Sequence, residues 1–351
     1  MHKVALLPGE GIGPEITAAS RRVIDASGVE IEWIIAEVGI EVEKQYGTPV
    51  PGYVYDAITD ATVAYKGPIM TPFGGSYRVT VDWDNPDSDA KESRSYPSIS
   101  VAVRAELDLY CNVRPIKNIP GVESKYENID IVFFRENTED LYRSIEHMVT
   151  PDIAESVKVI TRKASERIGR SAFEYAKKHG RKKVTAVHKS NIMKMSDGLF
   201  LESIFNVAKG YPGIEVEDRV VDNMCMQLVQ KPELYDVLVL PNLYGDILSD
   251  LGAGLIGGLG VAPGANIGDK AAVFEAVHGS APKYAGMNRA NPTATILSMV
   301  MMLDHMNEME AARRVETALR AVLAEGKNTT VDLGGTAGTS EMADAIIDKM
   351  K

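Results

Sequence analysis

The chain has 351 residues, of which 45% are hydrophobic and 25% charged, a composition close to the soluble globular average. That length is enough for two domains of ordinary size, and no run of about 18 apolar residues offers a membrane span. The formal net charge of −11 disfavours sequence-independent nucleic-acid binding, which rests on cationic side chains. Cys111 and Cys225, the only cysteines, exclude a disulfide framework and a Cys-ligated zinc site. A hard metal held by carboxylates remains open. The N-terminal stretch breaks at Pro8-Gly9, too early for a signal-peptide apolar region, so a soluble, cytoplasmic protein is expected.

Strands and helices alternate along the chain. Val4 to Leu7 reads as a strand, Gly11 to Gly13 as a turn, and Pro14 as the opening of a helix. Ile31 to Ala36 and Val63 to Tyr65 read as further strands. Tyr77 to Trp83 reads as an edge strand, and the acidic remainder to Tyr96 as a solvated loop. Its aspartates only superficially resemble a calcium loop, because the required Gly and Glu positions are missing. Leu109 to Val113 and Ile129 to Phe134 are strands followed by Arg114 and Arg135. A helical period covers Ala154 to Lys178. Lys183 to His188 and Asp236 to Leu240 are strands that end at Lys189-Ser190-Asn191 and Pro241-Asn242. Asp246 to Leu259 and Thr293 to His305 are apolar helices, and Glu308 to Glu325 is amphipathic and stops at Gly326. Polar residues at strand C-terminal ends mark where open α/β sheets place their sites.

Five constellations carry possible chemistry. Gly9-Glu10-Gly11-Ile12-Gly13 lacks the dinucleotide spacing and reads alone as a tight turn. Asp246 and Asp250 share one helix face; like charges there repel unless a cation such as Mg²⁺ or Mn²⁺ sits between them. Arg104, Arg114 and Arg135 are surface charges if taken singly, but as a set they suit a substrate with several carboxylates. Tyr142 and Lys189 are residue types that move protons when their pKa is depressed. The loop Phe274 to Gly286, with His278 and Lys283, lets backbone approach a flat or phosphorylated ligand.

In combination these motifs resemble the β-decarboxylating dehydrogenases, the isocitrate/isopropylmalate dehydrogenase family. The matching stretches are Gly-x-Gly-Ile-Gly-Pro-Glu at 9–15, Phe-Arg-Glu-Asn-Thr-Glu-Asp-x-Tyr at 134–142, His-Lys-x-Asn at 188–191, Asn-Leu-x-Gly-Asp-x-x-Ser-Asp at 242–250 and His-Gly-Ser-Ala-Pro at 278–282. Glu10 departs from the family's Asp. The resemblance implies an α/β fold of two discontinuous domains, not a classical Rossmann fold. Residues 1–108 plus 257–351 would form the large cofactor-binding domain, and 109–256 a small domain with a dimer-forming segment. It also implies a homodimer with shared active sites and a role in the tricarboxylic acid cycle.

By motif match, Asp246 and Asp250 would bind Mg²⁺ or Mn²⁺ with the partner subunit's Asp222. Tyr142 and the partner subunit's Lys189 would be the acid/base pair. Ser98, Ser100, Arg104, Arg114, Arg135 and Asn191 would bind substrate. Thr71, Glu275, His278, Gly279, Ser280, Ala281, Lys283, Tyr284 and Asn291 would bind the nicotinamide cofactor. Ser98 and Ser100 stand where isopropylmalate enzymes carry leucines, which favours isocitrate. Ser100 departs from the family's usual Asn and keeps homoisocitrate as the alternative. Lys283-Tyr284 resembles the NADP-dependent members, so NADP is expected over NAD, although the segment 328–335 resembles NAD-type members. A non-catalytic regulatory chain of a multi-subunit isocitrate dehydrogenase is the other alternative, set against the presence of Tyr142, Lys189, Asp222, Asp246 and Asp250.

Overall fold

The computed structural model describes residues 1–72, 75, 77–84 and 91–351. The chain divides into two compact units: residues 1–107, 119–123 and 257–351 form the first, and residues 108–118 and 124–256 the second. The sequence reading assigns 119–123 to the middle domain, whereas this segment packs with the first unit. No described helix is long and apolar enough to cross a membrane.

In the first unit the strands pair in the order Pro263–Ile267, Ala272–Ala276, Val63–Lys66, His2–Leu7 and Ile31–Ile35. Only the first of these pairings is antiparallel. Such parallel strands are covered on both faces, which is why Val4-Ala5-Leu6-Leu7 and Val63-Ala64-Tyr65 are continuous apolar runs rather than alternating ones. The helix Gly13–Asp25 carries Pro14 in its first turn, where the missing N–H leaves no bond unmade. The helix Thr293–His305 is buried throughout Thr293 to Val300, as its all-round apolar sequence requires.

The acidic stretch differs from expectation. Val79–Asp84 pairs antiparallel with Lys91–Tyr96 as a two-stranded sheet, so the second half is a strand and not a loop. The residues between them, with Asp87 and Asp89, lie outside the described residues.

In the second unit, Cys111–Lys117 runs antiparallel to Asp130–Glu136. From there Val237–Leu240, Lys183–His188 and Glu215–Val220 follow as parallel neighbours. Arg114 and Arg135 therefore sit inside strands, not just beyond them. The predicted helix over 154–178 is two elements. Ile153–Ser156 pairs with Glu146–Thr150 as an exposed hairpin. The helix Arg162–Lys178 begins only where the Thr161 hydroxyl caps the Ala164 N–H. The helix predicted over 246–259 spans Asn242–Leu255, because Pro241 fits just ahead of a first turn and Gly257 takes a left-handed φ of +114°.

Phe133 is fully buried in the strand Asp130–Glu136, facing the helix Asn242–Leu255 at Gly252. Phe133→Ala is expected to cost about 3–5 kcal/mol, measured as a lowered denaturant midpoint.

Candidate active site

The parallel strands of the second unit bring their C-terminal ends to one edge. Arg135, Asn242, Lys189 and Asp222 stand there, on or just beyond Asp130–Glu136, Val237–Leu240, Lys183–His188 and Glu215–Val220. Asp246 and Asp250 lie one turn apart on Asn242–Leu255, and Tyr142 lies in the 3-10 turn Asp140–Arg143.

Three groups converge on one carboxylate. Arg135 Nη1 donates to Asp246 Oδ1. Arg114 Nη2 reaches the same oxygen at 3.5 Å, and the Tyr142 hydroxyl donates to Oδ2 at 2.6 Å. Arg135 also grips Asn242 Oδ1 through Nε and Nη2, at 2.9 and 2.7 Å, and its guanidinium carbon lies 4.9 Å from the Tyr142 ring centroid. Arg114 Nη1 donates to Ser249 Oγ at 2.6 Å and to Asp250 Oδ1 at 3.1 Å. Both arginines are buried, and an arginine keeps its charge there, so the aspartates are its required counter-charges. Burial pushes the Asp250 carboxyl above its ordinary pKa, Asp246 adds to this, and Arg114 and Arg135 oppose it. Gly245 permits the close approach: a Cβ there would fall 2.5 Å from Arg135 Cγ.

Lys189 Nζ pairs with Asp222 Oδ1 at 2.7 Å. The Lys189 bond holds the Asp222 carboxyl below its ordinary pKa. Asn191 is exposed just beyond. Asp222 thus stands with Lys189, apart from the Arg114–Asp250 cluster. Among the described residues no group of three His, Cys, Asp or Glu could hold a metal within one chain. Two hard carboxylates one turn apart still match the donor set that Mg²⁺ or Mn²⁺ takes, with further oxygens from substrate and water.

In the first unit, Ser98 caps the helix Ile99–Glu106 by accepting the Val101 N–H at 3.2 Å. Ser100 and Arg104 lie on that helix. Arg104 Nη2 pairs with Glu275 Oε1 at 2.8 Å. Lys66 Nζ lies 2.6 Å from the other oxygen, and Asn266 Nδ2 donates to Oε1 at 2.7 Å. Burial alone would raise the Glu275 pKa; Lys66 and Arg104 instead hold it far below the usual carboxylate range.

A cleft of about 510 Å³ lies in the same unit, walled by Ile12, His278, Tyr284, Asn291, Val331 and Asp332 among others. The Gly11 turn, at φ +63°, brings the Ile12 N–H onto the Ser280 carbonyl at 2.8 Å. Of the expected cofactor residues, His278, Gly279, Ala281, Tyr284 and Asn291 line this cleft. Ser280 is buried behind it, and Glu275 belongs to the ion cluster just described. Thr71 is exposed, and Lys283 is off the wall, its ammonium 4.7 Å from the Tyr284 ring centroid. The sequence reading missed Asp332, whose carboxylate accepts from Asn291 Nδ2 at 2.9 Å and Thr330 Oγ1 at 2.6 Å; the Asp-Leu-Gly-Gly stretch was its only signal. Burial pushes the His278 imidazole below its ordinary pKa. Its Nδ1 faces the Gly279 carbonyl at 3.0 Å, which assigns the proton to Nδ1 and leaves Nε2 an acceptor without a partner among the described residues. A neutral flat ring, apolar walls and an oriented carboxylate suit a dinucleotide with ribose hydroxyls.

Glu275→Gln is expected to cost about 3–5 kcal/mol at pH 7, because two buried cations lose their shared counter-charge. The folded-state pKa is depressed, so this contribution is present above the ordinary 4.5 and fades as pH falls below it. Melting curves of the two proteins should therefore converge on acidification. Gly245→Ala is expected to displace Arg135 from Asp246 and to lower substrate affinity at least tenfold, read by calorimetric titration.

Comparison with known proteins places this geometry. The isocitrate/isopropylmalate dehydrogenase family profile matches residues 3–346. The NAD isocitrate dehydrogenase catalytic subunit 6 of Arabidopsis thaliana is 47% identical over 99% of this chain and 88% of its own. A mitochondrial regulatory subunit of the NAD isocitrate dehydrogenase of Dictyostelium discoideum is 45% identical over 100% and 92%. The crystal structure of isocitrate dehydrogenase from Methylococcus capsulatus superposes with a TM-score of 0.92 at 48% identity, covering 100% of this chain and 99% of that one. The expected cytoplasmic location is contradicted: the Arabidopsis relatives and those of Drosophila melanogaster and Caenorhabditis elegans are mitochondrial proteins. From its first strand to its last helix, the chain belongs to the isocitrate/isopropylmalate dehydrogenase family.

Proposed function

We propose that this chain is a catalytic isocitrate dehydrogenase subunit that oxidatively decarboxylates isocitrate to 2-oxoglutarate and CO₂ with reduction of NAD. The observation that carries this reading is the Asp246 cluster. Two buried guanidiniums and a phenol converge on a carboxylate that stands one turn from a second. Such a cluster is charge-balanced when empty, and it exchanges readily for a divalent cation entering with a tricarboxylate. The Arabidopsis, Drosophila and Dictyostelium relatives are NAD isocitrate dehydrogenase subunits, which supports isocitrate and NAD.

The divalent metal and the nicotinamide, when bound, supply a Lewis acid for the substrate's 2-oxygen and a hydride acceptor. Asp246, Asp250 and the partner subunit's Asp222 would hold that metal. Arg104, Arg114 and Arg135 bind carboxylates through their planar forks. Ser98 keeps its O–H as a donor while its oxygen caps the helix, and Ser100 follows it. Lys189, acting in the partner's site beside Asn191, takes the hydroxyl proton. Tyr142, whose proton rests against Asp246, delivers one to the carbon that loses CO₂.

NAD replaces the expected NADP. Lys283 reaches over its neighbour's ring and not into the cleft, and Asp332 is suited to accept from ribose hydroxyls and would repel a 2′-phosphate. Catalytic rather than regulatory standing is supported by the presence of all five acid, base and metal-ligand candidates. Assembly is supported by exposed apolar side chains in the second unit: Met148, Val149 and Ile153 on the hairpin, Ile192 and Met195 beyond Lys189, Met226 and Val229 beside Asp222. Such a surface marks an interface with a second subunit, and whether that subunit is identical is read from the assembly itself.

A steady-state assay with Mn²⁺ tests the reading. Isocitrate with NAD should turn over at least tenfold more efficiently than isocitrate with NADP, homoisocitrate or 3-isopropylmalate. Silence of the purified chain, restored by a second subunit type, would instead favour the regulatory reading. Tyr142→Phe should lower kcat by about 10²–10⁴-fold with an unchanged melting temperature. Met148→Glu should convert the assembly to monomers in sedimentation velocity and abolish turnover.

A further inference from the structure

Lys158 lies between the exposed strand Ile153–Ser156 and the helix Arg162–Lys178 and has no part in the roles above. Its side chain is only 12% exposed. Its ammonium stands 2.7 Å from Asp197 Oδ1, 3.9 Å from Asp140 Oδ1 and 4.2 Å from the Tyr244 ring centroid. Both carboxylates are fully buried.

Each carboxylate also accepts from main chain, and Asp197 shares a side-chain hydrogen bond with Tyr244. Asp197 Oδ2 accepts the Lys189 N–H at 2.6 Å. Asp140 Oδ1 accepts the Leu141 N–H at 2.8 Å, and Oδ2 accepts the Leu243 N–H at 3.0 Å, in the first turn of the helix that carries Asp246 and Asp250. Asp140 holds a φ of +70°, a left-handed conformation that a non-glycine residue keeps only where its surroundings enforce it. The Asp140 N–H donates to the Val159 carbonyl at 2.8 Å. Thr161 binds the neighbouring Glu139 through N and Oγ1, each at 2.8 Å.

We propose that Lys158 is a positioning residue: one buried cation that fixes, through Asp140 and Asp197, the backbone on which Tyr142, Lys189 and Asp246 stand. The inference rests on the roles proposed for those three residues. Two buried carboxylates and one ammonium are tolerated together only when all three segments are in register. Lys158 thereby aligns Tyr142 for its own chain's site and Lys189 for the partner's. It touches neither substrate nor cofactor; its effect is geometric, and an error near 1 Å at a reacting group is worth about 10²-fold in rate.

The test uses the assembled full chain with NAD, Mn²⁺ and isocitrate, alongside hydrogen–deuterium exchange of the ligand-free protein. Lys158→Met is expected to lower kcat roughly 30- to 100-fold while KM for isocitrate stays within about threefold. Exchange should rise in the peptides containing Leu141, Lys189 and Leu243 and stay unchanged in His2–Leu7. Lys158→Arg should recover most of both losses. A kcat within about twofold of wild type, or loss of protection spread evenly over the second unit, would overturn the proposal. If the methionine variant does not fold, Asp197→Asn reads the same peptides; it should speed exchange at Lys189 and lower kcat about tenfold, and unchanged values refute the role. A wild-type chain silent with isocitrate overturns the functional reading beneath, and the positioning role with it.

Discussion

Arg135 is one of the largest side chains fully buried in the protein, and its guanidinium cannot shed its charge. Much of the second unit follows from satisfying it. Asn242 and Asp246 must come from the same helix face, Gly245 must lack a side chain, and the helix must begin directly after Val237–Leu240 to bring them within reach. Arg114, one strand away, repeats the demand and takes Ser249 and Asp250 from the next turn. Two buried arginines on neighbouring strands therefore dictate the residue types along the helix.

The same pairing prepares the site. An unpaired buried guanidinium or a lone cluster of aspartates would be costly. Together they form a closed, neutral array with Tyr142 held against it. Under the proposed reading, metal and tricarboxylate arrive with complementary charges, so the array opens without any charge being stranded. Glu275 does comparable work in the first unit, where it satisfies Lys66, Arg104 and Asn266 at once. Beside it, the cleft under His278 and Asp332 relies on backbone approach and apolar walls, with few ionic contacts.

Much of this was legible in the chain. Continuous apolar runs at 4–7, 63–65 and 237–240 are what strands covered on both faces require, and Thr293–His305 matched its predicted bounds because it is apolar all round. The polar residues after the parallel strands of the second unit do gather at one sheet edge, where the candidate site lies. Boundaries failed where a cap or a pairing partner decides them. The period over 154–178 hid a strand, since the apolar residues of 153–157 pair within an exposed hairpin, and alternation over so few residues does not separate strand from helix.

The sequence by itself determined the α/β class, the family and the residue types of the candidate site, because periodicity and motif spacing are local properties of the chain. Tertiary structure alone decided that Arg114 and Arg135 lie within strands, that Asp222 stands with Lys189, that Asp332 faces the cleft while Lys283 does not, and that Lys158 joins Asp140 to Asp197. Those are contacts between residues tens of positions apart. Only the packing of the intervening segments sets their distances, and charge satisfaction in a buried space selects among the partners that packing brings near.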